Sequence, residues 1–410
     1  MTRISASVTV QFVSLVLAFM PASSFTNTIL TLPPLRLSQQ QHTNTNTPPS
    51  PRSTTTLPST TQDLTQTTLS DTTPNPLILH TPLPPQSFAG AVERAITNRF
   101  GASPAARILQ SWRLLDAGYE HVQHIQPTGA SSKNCYQHAS SYVPSLSVKK
   151  YWENEELEWT SKLESHYPAI KREFMAAISD AQSLEEQGNN VWAGALTNDA
   201  AGYGVGWSTL VLYDRGSWDD ENTKLFPQTS RAILDCGIPA CEVFFASMQP
   251  GSSIAPHSDF TNFVLTSHLG LVIPKQGEKR CKLTIGDEER EWQEGEISVF
   301  DTSVIHEAVN ETDETRYILM MRLWHPDLTE VEREALQFTY DCLEVPELTS
   351  DDPGMVFMAE QHIKMLRSVP ELLTNGVVYD TELIGKKKKK DKKYKKKKKK
   401  SGTAGKGFGA

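Results

Sequence analysis

From Trp192 to Trp324 the chain is written in short runs rich in Val, Ile, Phe, Tyr and Leu, broken every few residues by Gly, Asp, Asn or Pro. Ser208–Tyr213, Cys241–Met248, Val264–Ile273, Cys281–Ile285, Ile297–Phe300 and Arg316–Leu323 are such runs. So many short strands in sequence favour two stacked sheets or a barrel, because each strand must bury one face against another sheet. Helical patterns flank this region. Residues 88–117 place Ala91, Ile96, Phe100, Ile108, Trp112 and Leu115 at three- and four-residue steps, and 156–181 do the same from Leu157 to Ile178. Thr329-x-x-Glu332 is a capping box opening a helix through about Leu343, and 354–374 read as a further helix. Helices, then strands, then helices predict an α+β fold in which helices buttress a β core.

The rest of the chain bounds this core. Residues 1–25 read as a signal peptide: Arg3 is followed by the 13-residue run Val8–Met20, too short for a span of about 20 residues. Residues 26–85, dominated by Thr, Ser, Pro, Gln and Asn, have no apolar period and are expected to be a disordered, transit-like segment. Ala22-Ser23-Ser24-Phe25 is similar to the junction of bipartite plastid presequences, which leaves plastid and ER or secreted destinations open. The expected organisation continues with 86–200 as a helical N-terminal part, 201–345 as the β core, 346–385 as a helical extension and 386–410 as a disordered Lys-rich tail.

Charge is segregated along the chain. The total is -8, yet residues 386–400 carry +12, Lys406 adds one and residues 1–80 add one, so residues 81–385 hold -22. An acidic body argues against a folded surface that grips nucleic acid, which needs a basic face. The tail reads as a solvated arm for an acidic partner, an anionic membrane surface or RNA, with a segment that contacts nothing specific as the alternative. Five cysteines are too few and too scattered for a disulfide framework; Cys236 and Cys241 leave a local disulfide and two buried thiols both open.

The chemistry concentrates in a few residues. On an extended segment, His257 and Asp259 point to one face. A second imidazole from a neighbouring strand would complete a two-histidine, one-carboxylate set, which suits non-haem Fe(II) with three positions open. His306, closing the run from Ile297, is the candidate. His-x-Asp alone is common, and an ordinary hydrogen-bonded pair is the competing reading. Ten residues later Arg316 starts an apolar strand, where a guanidinium is costly unless it meets an anion or reaches solvent. Asp301 and Glu307 are close enough in sequence to orient His306, or else to be exposed loop acids. Asn310-Glu311-Thr312 is a glycosylation sequon.

Taken together, the motifs carry a resemblance. Pro256-His257-Ser258-Asp259-x-x-Asn262, Ser267-His268-Leu269-Gly270, Trp292-Gln293-Glu294-Gly295, Asp301-x-Ser303-x-x-His306-Glu307, Arg316 and Trp324-His325-Pro326 resemble the aspartyl/asparaginyl β-hydroxylase family, from about Tyr203 to Leu336. The resemblance implies a double-stranded β-helix (jelly-roll, cupin-like) and a dioxygenase that uses Fe(II), 2-oxoglutarate and O2. It implies that His257 and His306 bind iron, and that Arg316 and His268 bind 2-oxoglutarate, with Tyr213 and Ser247 nearby. Asp259 stands where the animal enzymes have Gly, and completes the three-ligand pattern. Thr266 stands where members often have Arg. The implied substrate is an Asp or Asn side chain of a peptide or protein. A lipid or small-molecule hydroxylase, a non-catalytic binding module on the same fold, and a metal hydrolase or isomerase without 2-oxoglutarate are the alternatives.

Overall fold

The computed structural model describes residues 69–129, 133–194 and 206–374. The signal-peptide reading, most of the low-complexity segment and the Lys-rich tail lie outside the described residues. Nine strands build the core: β1 (Trp207–Asp214), β2 (Ala240–Met248), β3 (Ser253–His257), β4 (Val264–Val272), β5 (Cys281–Ile285), β6 (Glu288–Glu291), β7 (Ile297–Phe300), β8 (His306–Asn310) and β9 (Arg316–Trp324). The major sheet runs β7-β4-β9-β2-β1, and all these pairs are antiparallel. The two-residue strands Tyr151–Trp152 and Ala193–Gly194 extend its two ends. The minor sheet runs β6-β5-β8-β3. From β2 onward the chain passes back and forth between the sheets, with only the β5–β6 hairpin staying within one, giving the double-stranded β-helix with helices packed outside it.

Alternation along the strands sorts their side chains. Phe244, Ala246 and Ile318 of the major sheet meet Cys281, Leu283 and Ile285 of the minor sheet between the two layers. The opposite face of the major sheet presents Leu210, Val243, Phe245, Leu269, Leu319 and Met321 to the helices. There α3 (Trp159–Ser179) lays Leu163, Ile170 and Phe174 on it, with the Phe174 ring 4.8 Å from that of Phe245, and α4 (Pro227–Cys236) adds Ile233. A second helical layer of α1 (Phe88–Phe100), α2 (Ala106–Asp116) and α5 (Glu330–Glu344) packs around Phe263, Val264 and Trp324.

Several expectations need correction. The 88–117 stretch is two helices, because Gly101 takes φ +83° and Pro104 follows. Thr329 and Glu332 do form the capping box of α5. The C-terminal stretch breaks after α6 (Pro353–Leu366), and a short turn of helix, Glu371–Thr374, follows. Disorder does not extend to residue 85: Thr72 exchanges hydrogen bonds with Val122, a helix forms at Pro76–His80, and Leu83 N–H donates to Glu93. Polar composition hid these contacts because each is a hydrogen bond made by a backbone or hydroxyl group and none needs an apolar side chain. Tyr136–Ser141, outside every run named above, is a strand paired antiparallel with His121–His124 on one edge and in parallel with Phe260–Thr261 on the other. All five cysteines are buried and free. The sequon is occupied by folding: the Asn310 amide donates to the carbonyls of Met248, Gln249 and Glu314 and is fully buried. Among the described residues no helix is long and apolar enough to cross a membrane.

Candidate metal centre and anion pocket

His257 ends β3 and His306 begins β8, and the two are direct partners in the register of the minor sheet. Their rings lie 4.2 Å apart. Asp259 follows in the loop, with Oδ1 3.6 Å from His257 Nε2 and 3.9 Å from His306 Nε2. One donor atom from each lies within 4.8 Å of the others. Donors bound at about 2.1 Å to one ion are about 3 Å apart when cis, so small adjustments would close this set on a metal.

The imidazoles are prepared for that role by their other nitrogens. Nδ1 of His257 lies 2.8 Å from the Ala255 carbonyl, and Nδ1 of His306 lies 2.9 Å from that of Val304. A carbonyl only accepts, so Nδ1 carries the proton and Nε2 keeps its lone pair toward Asp259. Burial and the neighbouring His257 push His306 down to about 4, so it is neutral at neutral pH, as ligation requires. Neither Asp301 nor Glu307 orients it. Asp301 accepts instead from the N–H and hydroxyl of Ser303, and Glu307 points from the other face of β8.

A cavity between the sheets begins at this triad and ends at Arg316. Its lining includes Thr266, His268, Trp292, Phe300 and Met320. Arg316 is 1 % exposed and lies on a central strand, not an edge. Its guanidinium stacks 4.6 Å from the centre of the Trp292 ring, but no carboxylate among the described residues is within ion-pair distance, and Nε has no hydrogen-bond partner. Burial lowers its pKa to about 10, which still leaves it charged at neutral pH. A buried, charged and anion-free guanidinium is costly, and an anionic ligand would relieve that cost. His268 shares the space. Trp292 Nε1 donates to His268 Nδ1 at 3.1 Å, and an indole can only donate, so the His268 proton sits on Nε2. That Nε2–H is buried without a partner. Burial, with Arg316 nearby, holds His268 well below its usual pKa, so it is a neutral donor.

The structure brings together His257, Asp259, His306, His268 and Arg316. It does not bring Tyr213 or Ser247 to them. Before residue 212, odd-numbered residues of β1 face between the sheets; a bulge between Val211 and Tyr213 turns Tyr213 to the helix side, against Trp218. Trp207, on the same strand, lines the cavity in its stead. Ser247 is one place out of phase on β2: Ala246 faces between the sheets, and Ser247 hydrogen-bonds Ser208 at 2.7 Å on the other side. Two residues had no assigned part. Trp292 lay inside a recognised motif without a role. Arg322, six residues after Arg316 and so on the same face of β9, donates from Nη1 to Asp259 Oδ2 at 2.6 Å. Its parity with Arg316 was the available signal.

Residues 164–326 match the family model for aspartyl/asparaginyl beta-hydroxylase. This stretch is a domain of that family. The mouse aspartyl/asparaginyl beta-hydroxylase is 29 % identical over 217 residues, covering 49 % of this chain and 26 % of the mouse protein. The ornithine lipid ester-linked acyl 2-hydroxylase of Rhizobium tropici is 29 % identical over 172 residues, 41 % of this chain and 58 % of that protein. The human aspartate beta-hydroxylase domain-containing protein 2 is 33 % identical over 142 residues, 33 % of this chain and 37 % of its own. The chain therefore spans about a quarter of the mouse relative and little more than half of the bacterial one. A cupin 2 conserved barrel domain protein from Salinispora arenicola superposes on 32 % of the chain and 84 % of its own, at 14 % identity and a TM-score of 0.20.

Proposed function

We propose that this chain is an Fe(II)- and 2-oxoglutarate-dependent dioxygenase that hydroxylates a C–H bond, with an Asp or Asn side chain of a peptide or protein as the substrate class. The observation that carries the reading is Arg316, a buried cation with no anion beside it among the described residues, in the same cavity as the His257, Asp259 and His306 donors. A metal hydrolase or isomerase without 2-oxoglutarate would need an anionic substrate of its own to meet that guanidinium.

In this reading His257, Asp259 and His306 hold iron. The Arg316 guanidinium pairs with the far carboxylate of 2-oxoglutarate, which a planar fork can grip through two hydrogen bonds. His268 donates its Nε2 proton to the same ligand, and Trp292 keeps both groups in place. Bound iron and cosubstrate supply the oxidation: one atom of O2 enters the C–H bond as hydroxyl, the other enters succinate, and CO2 leaves. Phe300, Ile318 and Met320 make an apolar wall that excludes water from the reacting groups.

The test is anaerobic addition of Fe(II) and 2-oxoglutarate to the purified chain, followed by O2. A visible charge-transfer band and then succinate are expected. Neither band nor succinate would sink the reading. Acidic peptides compared with acyl lipids, by product mass, decide the substrate class; turnover confined to lipid would replace the peptide assignment.

A further inference from the structure

We infer that Arg322 is a positioning residue of the metal centre: it occupies Oδ2 of Asp259 and so presents the single oxygen Oδ1 to the ion. The inference rests on the reading of His257, Asp259 and His306 as metal ligands and adds a residue to it.

The two carboxylate oxygens of Asp259 have different tasks. Oδ1 faces both imidazole nitrogens, at 3.6 and 3.9 Å, while Oδ2 accepts from Arg322 Nη1 at 2.6 Å. The Asp259 side chain is 3 % exposed and that of Arg322 is 6 % exposed, so water does not screen the contact. With Oδ2 engaged, the carboxylate offers one ligand atom, and an octahedral ion would keep three positions for other groups. Freed from Arg322, the same carboxylate could rotate or chelate through both oxygens, closing one of those positions.

Arg322 is itself fixed by the sheet. In the β9 register it stands directly opposite Thr266 on β4 and Glu242 on β2. Its Nε lies 3.5 Å from Glu242 Oε2, so one guanidinium is held between two acids. Thr266 is fully buried and small, which leaves room for the guanidinium to reach across to Asp259. An arginine at position 266 would set like charge against Arg322 across one strand pair. Asp259, Thr266 and Arg322 therefore belong to one arrangement. The loop bearing Asp259 is also pinned: its N–H donates to the Thr302 carbonyl at 2.9 Å, and Ser258 Oγ donates to the His138 carbonyl at 2.6 Å. Backbone anchoring sets where the carboxylate sits, and Arg322 sets how it turns.

The test titrates Co(II) into metal-free full-length protein and follows the visible ligand-field absorption, with no turnover involved. Arg322→Met is combined with Glu242→Gln, so that no buried carboxylate at 242 loses its cation; Asp259→Ala is the control, and near-UV circular dichroism reports folding. The folded double variant should bind Co(II) at least about tenfold more weakly, with a changed band shape, since outer contacts of ligands carry about 10–100-fold in metal affinity. Affinity within twofold of wild type and an unchanged band, while Asp259→Ala binds weakly, would overturn the role of Arg322 and leave the metal triad standing. Unchanged binding in Asp259→Ala as well would remove the triad and this inference together. Should the double variant not fold, Arg322→Gln is read by the same titration and the same thresholds.

Discussion

Arg316 and Arg322 stand on one face of β9, six residues apart, and only Arg322 meets a carboxylate. Ile318 and Met320 lie between them on the cavity wall. One arginine engages Asp259 beside the two imidazoles, and the other lies at the opposite end of the cavity, with no carboxylate among the described residues within ion-pair distance.

That asymmetry separates stability from activity. Arg316→Met removes a buried charge with no anionic partner among the described residues, so it should stabilise the ligand-free protein by about 1–3 kcal/mol. The same substitution should weaken 2-oxoglutarate binding by about 100-fold or more. Thermal melts without cosubstrate and binding titrations with it check both signs; a destabilised variant with normal affinity would contradict the assignment.

Trp292 touches both His268 and Arg316, so under the proposed function it would act on 2-oxoglutarate through them. Trp292→Phe keeps an aromatic face for the guanidinium but deletes the indole N–H, so His268 is no longer held in one tautomer. The KM for 2-oxoglutarate should rise roughly three- to tenfold, and the melting temperature should fall, because the buried indole leaves a cavity besides the loss of a hydrogen bond of about 1 kcal/mol. Steady-state kinetics at varied 2-oxoglutarate measure this.

The two residues that face the helices supply a negative control. Tyr213→Phe and Ser247→Ala should leave cosubstrate affinity within about twofold of wild type. Trp207→Ala, which opens the cavity wall, should not. Isothermal titration of the three variants distinguishes them, and a strong effect at Tyr213 would show that the bulge after Val211 is misassigned.

Burial raises Asp301 to about 7, and its Oδ2 has no hydrogen-bond partner. The folded protein thus binds this proton more tightly than the unfolded chain does, where the value is near 3.8. Its contribution to stability is therefore most favourable at low pH and is lost as pH rises toward and through 7. Asp301→Asn cannot titrate. Urea unfolding of metal-free protein at pH 5 and pH 8 should show wild type losing about 2 kcal/mol more than the variant over that interval.

Much of this architecture could be read from residue patterns. Strand runs separated by turn residues mark the two sheets, and Thr329 with Glu332 marks the start of α5 almost to the residue. His257, Asp259, His306, His268 and Arg316 are legible because each sits at a fixed offset inside a recognisable motif. What escapes is whatever depends on register. Tyr213 is displaced by one extra residue in β1, a bulge that no residue type announces. The link from Arg322 to Asp259 joins positions 63 apart and exists only because the sheets place β9 beside that loop. The strand Tyr136–Ser141 escapes for a related reason, since its hydrophobic content is low and its partners are distant backbone groups.

That strand has a practical corollary. Its Ala139 and Ser141 run alongside Phe260 and Thr261, immediately after Asp259, and His138 meets both Ser258 and Ser303 through its backbone. Its other edge pairs with His121–His124, which in turn holds Thr72. The recognisable stretch 164–326 is consequently smaller than the packed unit around it: a fragment starting at 164 would lack the strand behind Asp259, whereas one starting near Leu69 would carry it.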